Sequence, residues 1–277
     1  MAVHYILEGG RKPCPPIPEL NINEYPDVDV LVPTCGEPVE LVKRTLLGCL
    51  AMEYSGDVYI HLCDDANCKE MRDLSDELGI KYFSRTERTF AKAGNLNAAL
   101  KLTKSPLIAV FDADMCPETK FLISTVPYFF EKSGKHKRQH VSNKIGFVQT
   151  PQNFRNDDLF QRAYRAWDII PNEKDYFYLE LEPARNSCNA VIFGGSNTLL
   201  SRNALETIGG FTTGTITEDF ATGIEIQKQG YRCIAIDTPL ASGLAPENLT
   251  DIIRQRNRWA RGCIQAGYKH IYCLPHV

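Results

Sequence analysis

Asp112 and Asp114 stand two residues apart, directly after the apolar run 106–111. Two carboxylates at that spacing on a strand end can point into one crevice. They offer hard oxygen ligands to Mg²⁺ or Mn²⁺ and leave positions open for phosphate oxygens. Asp64 and Asp65 end a second apolar run, 58–63, where a carboxylate can accept hydrogen bonds from a ribose or a base edge. Lys92 and Gly94 open a helical stretch whose free amides and dipole suit an anion. Thr217-Glu218-Asp219 follows a glycine- and threonine-rich run, and either acid is a candidate general base toward a hydroxyl. Gln255, Arg258 and Trp259 are spaced i, i+3 and i+4 and share a helix face. An amide, a guanidinium and an indole there suit a phosphate contact beside a sugar-stacking platform. Taken alone, each motif has a plainer reading: the aspartates as turn or capping acids, Asn95 and Thr217 as helix caps, Trp259 as core beside snorkelling arginines.

The elements that must carry these residues alternate. Strands are expected at 28–32, 58–63, 80–83 and 106–111, with helices at 38–52, 69–78 (closed by Gly79) and 95–102 between them. Val39, Val42, Leu46, Leu47 and Leu50 form one apolar face of the first helix. Further on, strands are expected at 145–149, 190–193 and 233–236, and helices at 158–170, 203–208, 218–229 and 247–268. Mostly apolar strands joined by helices imply a parallel sheet buried on both faces. Three of the polar motifs sit at carboxyl ends of such strands or just beyond them, where open α/β sheets bind ligands.

Composition narrows the function classes. The chain has 277 residues, 43% hydrophobic and 23% charged, which is a globular composition. A formal net charge of −3 argues against a nucleic-acid-binding role. No run of about 18 apolar residues occurs, so no membrane span is expected, and residues 1–26 form a proline-rich extended lead-in rather than a secretory signal. The ten cysteines are scattered and read as reduced cytosolic thiols with no catalytic role. Residues 131–144, with Lys132, Lys135, Lys137, Arg138 and Lys144, read as a solvated loop, with an anionic membrane as the other reading. No Gly-x-Gly-x-x-Gly follows a strand and no P-loop occurs, which disfavours dehydrogenases and P-loop NTPases.

In their order along the chain these motifs resemble those of the processive family 2 glycosyltransferases, in particular the cellulose synthase group. The resemblance runs from Val28 to about Cys273. It begins with Val32 to Pro38 and continues through Asp64-Asp65, Lys92–Asn97 and Asp112-x-Asp114. Gln149-Thr150-Pro151-Gln152, Thr217-Glu218-Asp219 and Gln255-x-x-Arg258-Trp259 complete it. It implies an α/β, GT-A type, mixed but mostly parallel sheet flanked by helices: a single nucleotide-sugar-binding domain over residues 27–277.

The resemblance also implies roles. Thr34, Glu37, Asp64 and Asp65 would hold uridine, supported by Lys92. Asp112 and Asp114 would meet ribose, diphosphate and Mg²⁺ or Mn²⁺, and Asp219 would be the base. Gln255 and Arg258 would engage the diphosphate, and Trp259 would stack on the terminal sugar. Phe193-Gly194-Gly195-Ser196 resembles the acceptor segment of the group, with Gly194 where cellulose synthases carry cysteine. The implied reaction is inverting transfer of a hexose, glucose first, from a UDP-sugar to the non-reducing end of a growing β-glycan. An N-acetylglucosamine or hyaluronan-type polymer, or a catalytically silent nucleotide-binding domain, stay open. The implied setting is the cytoplasmic face of a membrane, as a domain of a longer protein whose transmembrane helices form the polymer channel. The apolar residues Leu249, Ile252, Ile253, Cys263 and Ile264 of the last helix would then face that membrane or the core.

Overall fold

The computed structural model describes residues 14–18, 25–133, 138–141, 144–165 and 169–271, with the backbone alone for 131–133, 138–141 and 271. Most of the expected lead-in and the side chains of the basic stretch lie outside the described residues.

Alternation of apolar strands and amphipathic helices gives β1 (Val28–Thr34), α1 (Val39–Leu50), β2 (Val58–Asp64), α2 (Lys69–Leu78), β3 (Lys81–Phe83), α3 (Ala91–Leu100) and β4 (Leu107–Val110). These four strands run parallel, and all seven residues of β1 are buried. Their two faces feed two cores. Val28, Val30 and Val32 pack with α1 and α2, whereas Leu31, Ile108 and Val110 pack with α3 and later helices. That alternation is the two-residue period of a strand covered on both sides. Gly79 closes α2 in the left-handed region (φ 66°), as its position suggested. Leu47 and Leu50, grouped by sequence with Val42 and Leu46, are about half exposed.

The second half departs further from local reading. After β5 (Cys116–Pro117), α4 (Phe121–Thr125), the hairpin β6 (Phe130–Ser133) and β7 (Arg138–Val141), β8 (Ile145–Gln149) rejoins the main sheet. β9 (Asn153–Phe154) and α5 (Leu159–Tyr164) follow. The helix expected to reach residue 170 is closed by Arg165 in the left-handed conformation. A π-helical turn (Tyr176–Leu181) leads into α6 (Glu182–Arg185). The strand expected at 190–193 is absent. The strand is β10 (Thr198–Ser201), which runs antiparallel between β4 and β8. Segment 191–195 is coil because side chains bind its backbone: Gln227 donates to the Val191 carbonyl, Glu182 accepts from the Ile192 amide, and Gln149 Oε1 accepts from the Gly194 amide. α7 (Arg202–Thr207), α8 (Glu218–Lys228), β11 (Arg232–Ala235), β12 (Ala241–Gly243) and α9 (Leu249–Ala266) complete the chain. The main sheet has order β11-β8-β10-β4-β1-β2-β3, and β12 joins β5 and β9 in a small second sheet. The result is the mixed, mostly parallel sheet flanked by helices that was expected.

Because β10 is antiparallel, Arg202 emerges at the end of the sheet opposite the polar motifs. There it joins a buried network: its guanidinium donates to Asp29 at 3.0 Å and to the Ser105 carbonyl, and His61 Nε2 lies 2.9 Å from Asp29. Burial would raise the Asp29 pKa. The His61 contact and the Ser105 amide outweigh it and hold the carboxyl below its ordinary value. A group depressed in the folded state adds stability above its unfolded pKa and loses that contribution as pH falls through the folded value. Asp29→Ala strands a buried guanidinium and should cost about 3–5 kcal/mol by denaturant unfolding at neutral pH. A loss below about 1 kcal/mol would show that the network is solvated.

Candidate active site

The carboxyl ends of β1, β2 and β4 and the start of α3 enclose a cavity of about 370 Å³. Thr34, Glu37, Asp65, Lys92, Asp112 and Asp114 all line it. Six of the sequence-derived candidates, scattered over about 80 residues of chain, thus meet in one place.

The adjacent aspartates divide their work. Asp64 is fully buried and its oxygens accept from the Ala66 and Cys68 amides, from Tyr82 and, at 3.3 Å, from Thr34. Its carboxylate is engaged by these protein donors, so it shapes the loop and is not among the residues lining the cavity. Asp65 turns to the cavity and is held by a two-pronged contact from Arg85, both N–H···O distances being 2.7 Å. Arg85 also donates to the Thr89 and Ala91 carbonyls. That brace holds Phe90 and Ala91 in the left-handed region (φ 61° and 41°) at the entrance to α3. A Cβ on Gly94 would lie 2.0 Å from the Thr89 oxygen, which explains the glycine after Lys92-Ala93. Asn95 is not a cap: it lies inside α3, where its amide donates to the Cys63 carbonyl.

Lys92 links the two halves of the site. Its ammonium bonds Asp112 and donates to the Gly195 carbonyl at 2.7 Å. Burial would lower its pKa, but Asp112, with Asp219 and Glu218 behind it, holds it above the ordinary value. The Asp112 amide donates to Ser196 Oγ at 2.8 Å, tying the strand end of β4 to the loop before β10. Gln149 organises that loop. It accepts from the Gly194 amide and Thr198 Oγ1 and donates to the Ser196 carbonyl.

Asp219 lies in the first turn of α8, where the Phe220 amide donates to its Oδ1 at 2.8 Å. Thr217 makes no cap bond, so the capping reading of this motif does not hold. Gly195 approaches so closely that a Cβ there would lie 2.6 Å from Asp219 Oδ2. Burial raises the Asp219 pKa, and Asp112 adds to it against Lys92 and Arg258. Burial and then Asp112 raise Asp114 in the same way, and burial and then Asp219 raise Glu218. Lys92, bonded to Asp112, is the cation that the protein itself places among these four acids.

Among the described residues no group of three or more His, Cys, Asp or Glu side chains could hold a metal by itself. Asp112 and Asp114 supply two carboxylates, which could hold a divalent cation only with further donors from a ligand. Gln255, Arg258 and Trp259 do share a face of α9. Arg258 is exposed, yet its charge reaches Asp219 and Glu218. Trp259 is half-buried, with Lys174 Nζ 5.0 Å and Arg256 Cζ 4.4 Å from its ring centroid. Sequence reasoning passed over Arg85 and Lys174, because charged residues in loops carry no periodic signal; it named Gly195 within the Phe193–Ser196 segment but not its approach to Asp219, since a glycine's role shows only in what crowds it.

The sequence pattern of the family described as "Glycosyltransferase like family 2" matches residues 26–262. The chain is 38% identical over 256 residues to the "Cellulose synthase catalytic subunit [UDP-forming]" of Xanthomonas axonopodis pv. citri, covering 92% of this chain and 34% of that protein. It is 37% identical to the "Cellulose synthase 1 catalytic subunit [UDP-forming]" of Komagataeibacter xylinus, over 90% of this chain and 32% of that protein. The chain therefore spans about a third of the length of these curated relatives. Among solved structures, a mannosyltransferase of Pyrobaculum calidifontis with GDP-Man and Mn²⁺ superposes with a TM-score of 0.69 at 21% identity, covering 100% of this chain and 71% of that one. Glucosyl-3-phosphoglycerate synthase of Mycobacterium tuberculosis, with Mn²⁺, UDP and phosphoglyceric acid, gives 0.56 at 16% identity, covering 87% and 79%. At these identities the structures establish the GT-A-like fold, while the family pattern and the cellulose synthase relatives establish kinship. The chain belongs to the family 2 glycosyltransferases, in their cellulose synthase group.

Proposed function

We propose that this chain is the catalytic domain of an inverting glycosyltransferase that moves a hexose, glucose first, from a UDP-sugar to the growing end of a β-glycan. The observation that carries the reading is the single cavity joining Thr34, Glu37 and Asp65 to Lys92 and the Asp112-x-Asp114 pair, with Asp219 one Lys92–Gly195 link away. The cellulose synthase relatives, named as UDP-forming, support the donor.

In this reading Thr34, Glu37 and Asp65 receive the nucleoside, Asp65 being kept in orientation by Arg85. Asp64 shapes the loop that presents them. Asp112 and Asp114 would hold Mg²⁺ or Mn²⁺, which when bound neutralises the diphosphate and eases its departure. Asp219 takes the proton of the acceptor hydroxyl as that oxygen attacks the anomeric carbon, and the bond to UDP breaks on the opposite face. Lys92 supports the nucleoside side, Gln255 donates a hydrogen bond to the leaving diphosphate and Arg258 offsets the charge that gathers on it, so electrostatics rather than a covalent intermediate lowers the barrier. Trp259 borders the acceptor side.

α9 adds a setting. Ile252, Gly262 and Ala266 face inward, whereas Leu249, Ile253 and Ile264 are each more than half exposed, beside the exposed Arg254 and Arg261. An apolar stripe flanked by arginines suits the surface of a membrane, at its cytoplasmic face beside the channel of a longer protein. Among the described residues no helix is long and apolar enough to cross one.

The test is calorimetric binding of UDP, UDP-glucose, UDP-N-acetylglucosamine, UDP-glucuronate and GDP-mannose, with and without Mg²⁺ or Mn²⁺. Binding confined to uridine nucleotides and lost with EDTA is the expected result. Metal-independent UDP binding would remove the role given to Asp112 and Asp114, and binding of GDP-mannose alone would overturn the donor.

A further inference from the structure

The segment 171–175 carries a charged pair that the transfer site, as described, does not use. Glu173 pairs with Arg256 on α9. Lys174 turns inward and keeps only 7% of its surface exposed. Its ammonium lies 4.3 Å from the centroid of the Phe154 ring and 5.0 Å from that of Trp259. Its hydrogen-bond acceptor is Gln152 Oε1, at a long 3.4 Å. Among the described residues no carboxylate lies within ion-pairing distance of it. Burial pushes this lysine down to about 8, against the pull of Asp114 and then Asp112. A buried ammonium without a carboxylate partner is expensive, and a methionine would fill the same space without that cost.

We propose that Lys174 is a positioning residue for Trp259: its ammonium, held between the Phe154 and Trp259 rings, fixes the indole on the acceptor side of the Asp112-x-Asp114 pair and so sets where the terminal sugar is received. The inference rests on the transferase reading and goes beyond it by naming what orients the acceptor platform. Two features support it. Glu173 and Lys174 are adjacent and each takes one residue of α9, Arg256 and Trp259, which stand three apart on one face. One short segment therefore grips the helix that bears the motif. Lys174 also lies outside the lining of the cavity, while Asp114, which does line it, exerts the stronger of the two carboxylate pulls on its charge. The ammonium thus touches the indole directly and reaches the Asp112-x-Asp114 pair through its charge.

The experiment follows the indole N–H signal of Trp259 by NMR in the metal-free protein. The chain has two tryptophans, Trp167 and Trp259, and Trp167→Phe assigns them. Lys174→Met keeps length and packing but removes the charge. It should shift and broaden the Trp259 signal while UDP affinity, measured by calorimetry with Mn²⁺, stays within about twofold. In transfer assays on the full-length enzyme the acceptor KM should rise by up to about tenfold, the upper range of a desolvated cation–π contact. Added to Trp259→Phe, Lys174→Met should cost little more. An unmoved indole signal in a folded variant would overturn the proposal, as would a loss of UDP affinity as large as the loss of transfer. If Lys174→Met melts at room temperature, Phe154→Leu takes its place, since removing the other wall must move the same signal. Failure of the wild type to bind any nucleotide would sink the transferase reading, whereas the indole signal decides the Lys174 contact without nucleotide.

Discussion

Asp219→Asn should leave UDP binding intact and lower transfer by about 10²-fold or more. The amide nearly matches the carboxylate in shape, so the contact from the Phe220 amide to Oδ1 can persist while the proton acceptor is gone. Donor affinity should survive because Asp219 does not line the cavity that joins Thr34, Glu37 and Asp65 to Asp112 and Asp114. The pH profile gives a second check. Burial and Asp112 raise the Asp219 pKa, with Lys92 and Arg258 opposing. A protonated base cannot accept the acceptor's proton, so kcat/KM should fall as pH drops through that raised value. Its acidic limb should lie above the ordinary carboxylate range and vanish in the residual activity of Asp219→Asn. Wild-type turnover in the variant would remove Asp219 from the mechanism.

Gly195→Ala is expected to damage catalysis nearly as much through geometry alone. Gly195 has φ +80°, where an alanine is strained, and the added methyl would lie 2.6 Å from Asp219 Oδ2. Either the base or the loop must move, and the loop carries the carbonyl that receives Lys92. A displacement of about 1 Å in a reacting group commonly costs 10²-fold, so transfer should fall by about that factor. Folding should lose about 1–3 kcal/mol. Gly194→Ala is the matched control. Its φ is not positive and its Cβ would meet the Tyr178 hydroxyl at 3.1 Å, so a smaller loss is expected. Equal losses in the two variants would show that general loop packing, not the approach to Asp219, decides the effect.

The first half of the fold was legible residue by residue. The helix at 69–78 has the bounds expected of it, and β1, β2 and β4 lie within two residues of theirs. Each is set by a local period and a local stop: leucines and methionine at helical spacing before a glycine, or an apolar run before acids. The second half was less legible where pairing partners are remote. Thr198–Ser201 is a four-residue run with no signature of its own. It is a strand because β4 and β8 offer open edges on either side. Ala190–Phe193 has strand composition, yet Glu182, Gln149 and Gln227 claim the backbone groups of this segment before another strand can. Gln149 and Gln227, about 40 residues from the groups they bind, are invisible to a window of ten.

The same division runs through the site. The kinds of residue, their order and their placement at strand ends were determined by the sequence alone, because each motif directly follows a local apolar run or opens a helical stretch. The tertiary structure decided which of two neighbouring aspartates faces the cavity. Successive residues at a strand end point to opposite sides, and only the surrounding amides, Tyr82 and Arg85 distinguish the sides. It also decided that Arg85 braces Asp65, that Gly195 admits Asp219 and that Lys174 lies against Trp259. Those are contacts between segments far apart in the chain, and packing, not periodicity, brings them together.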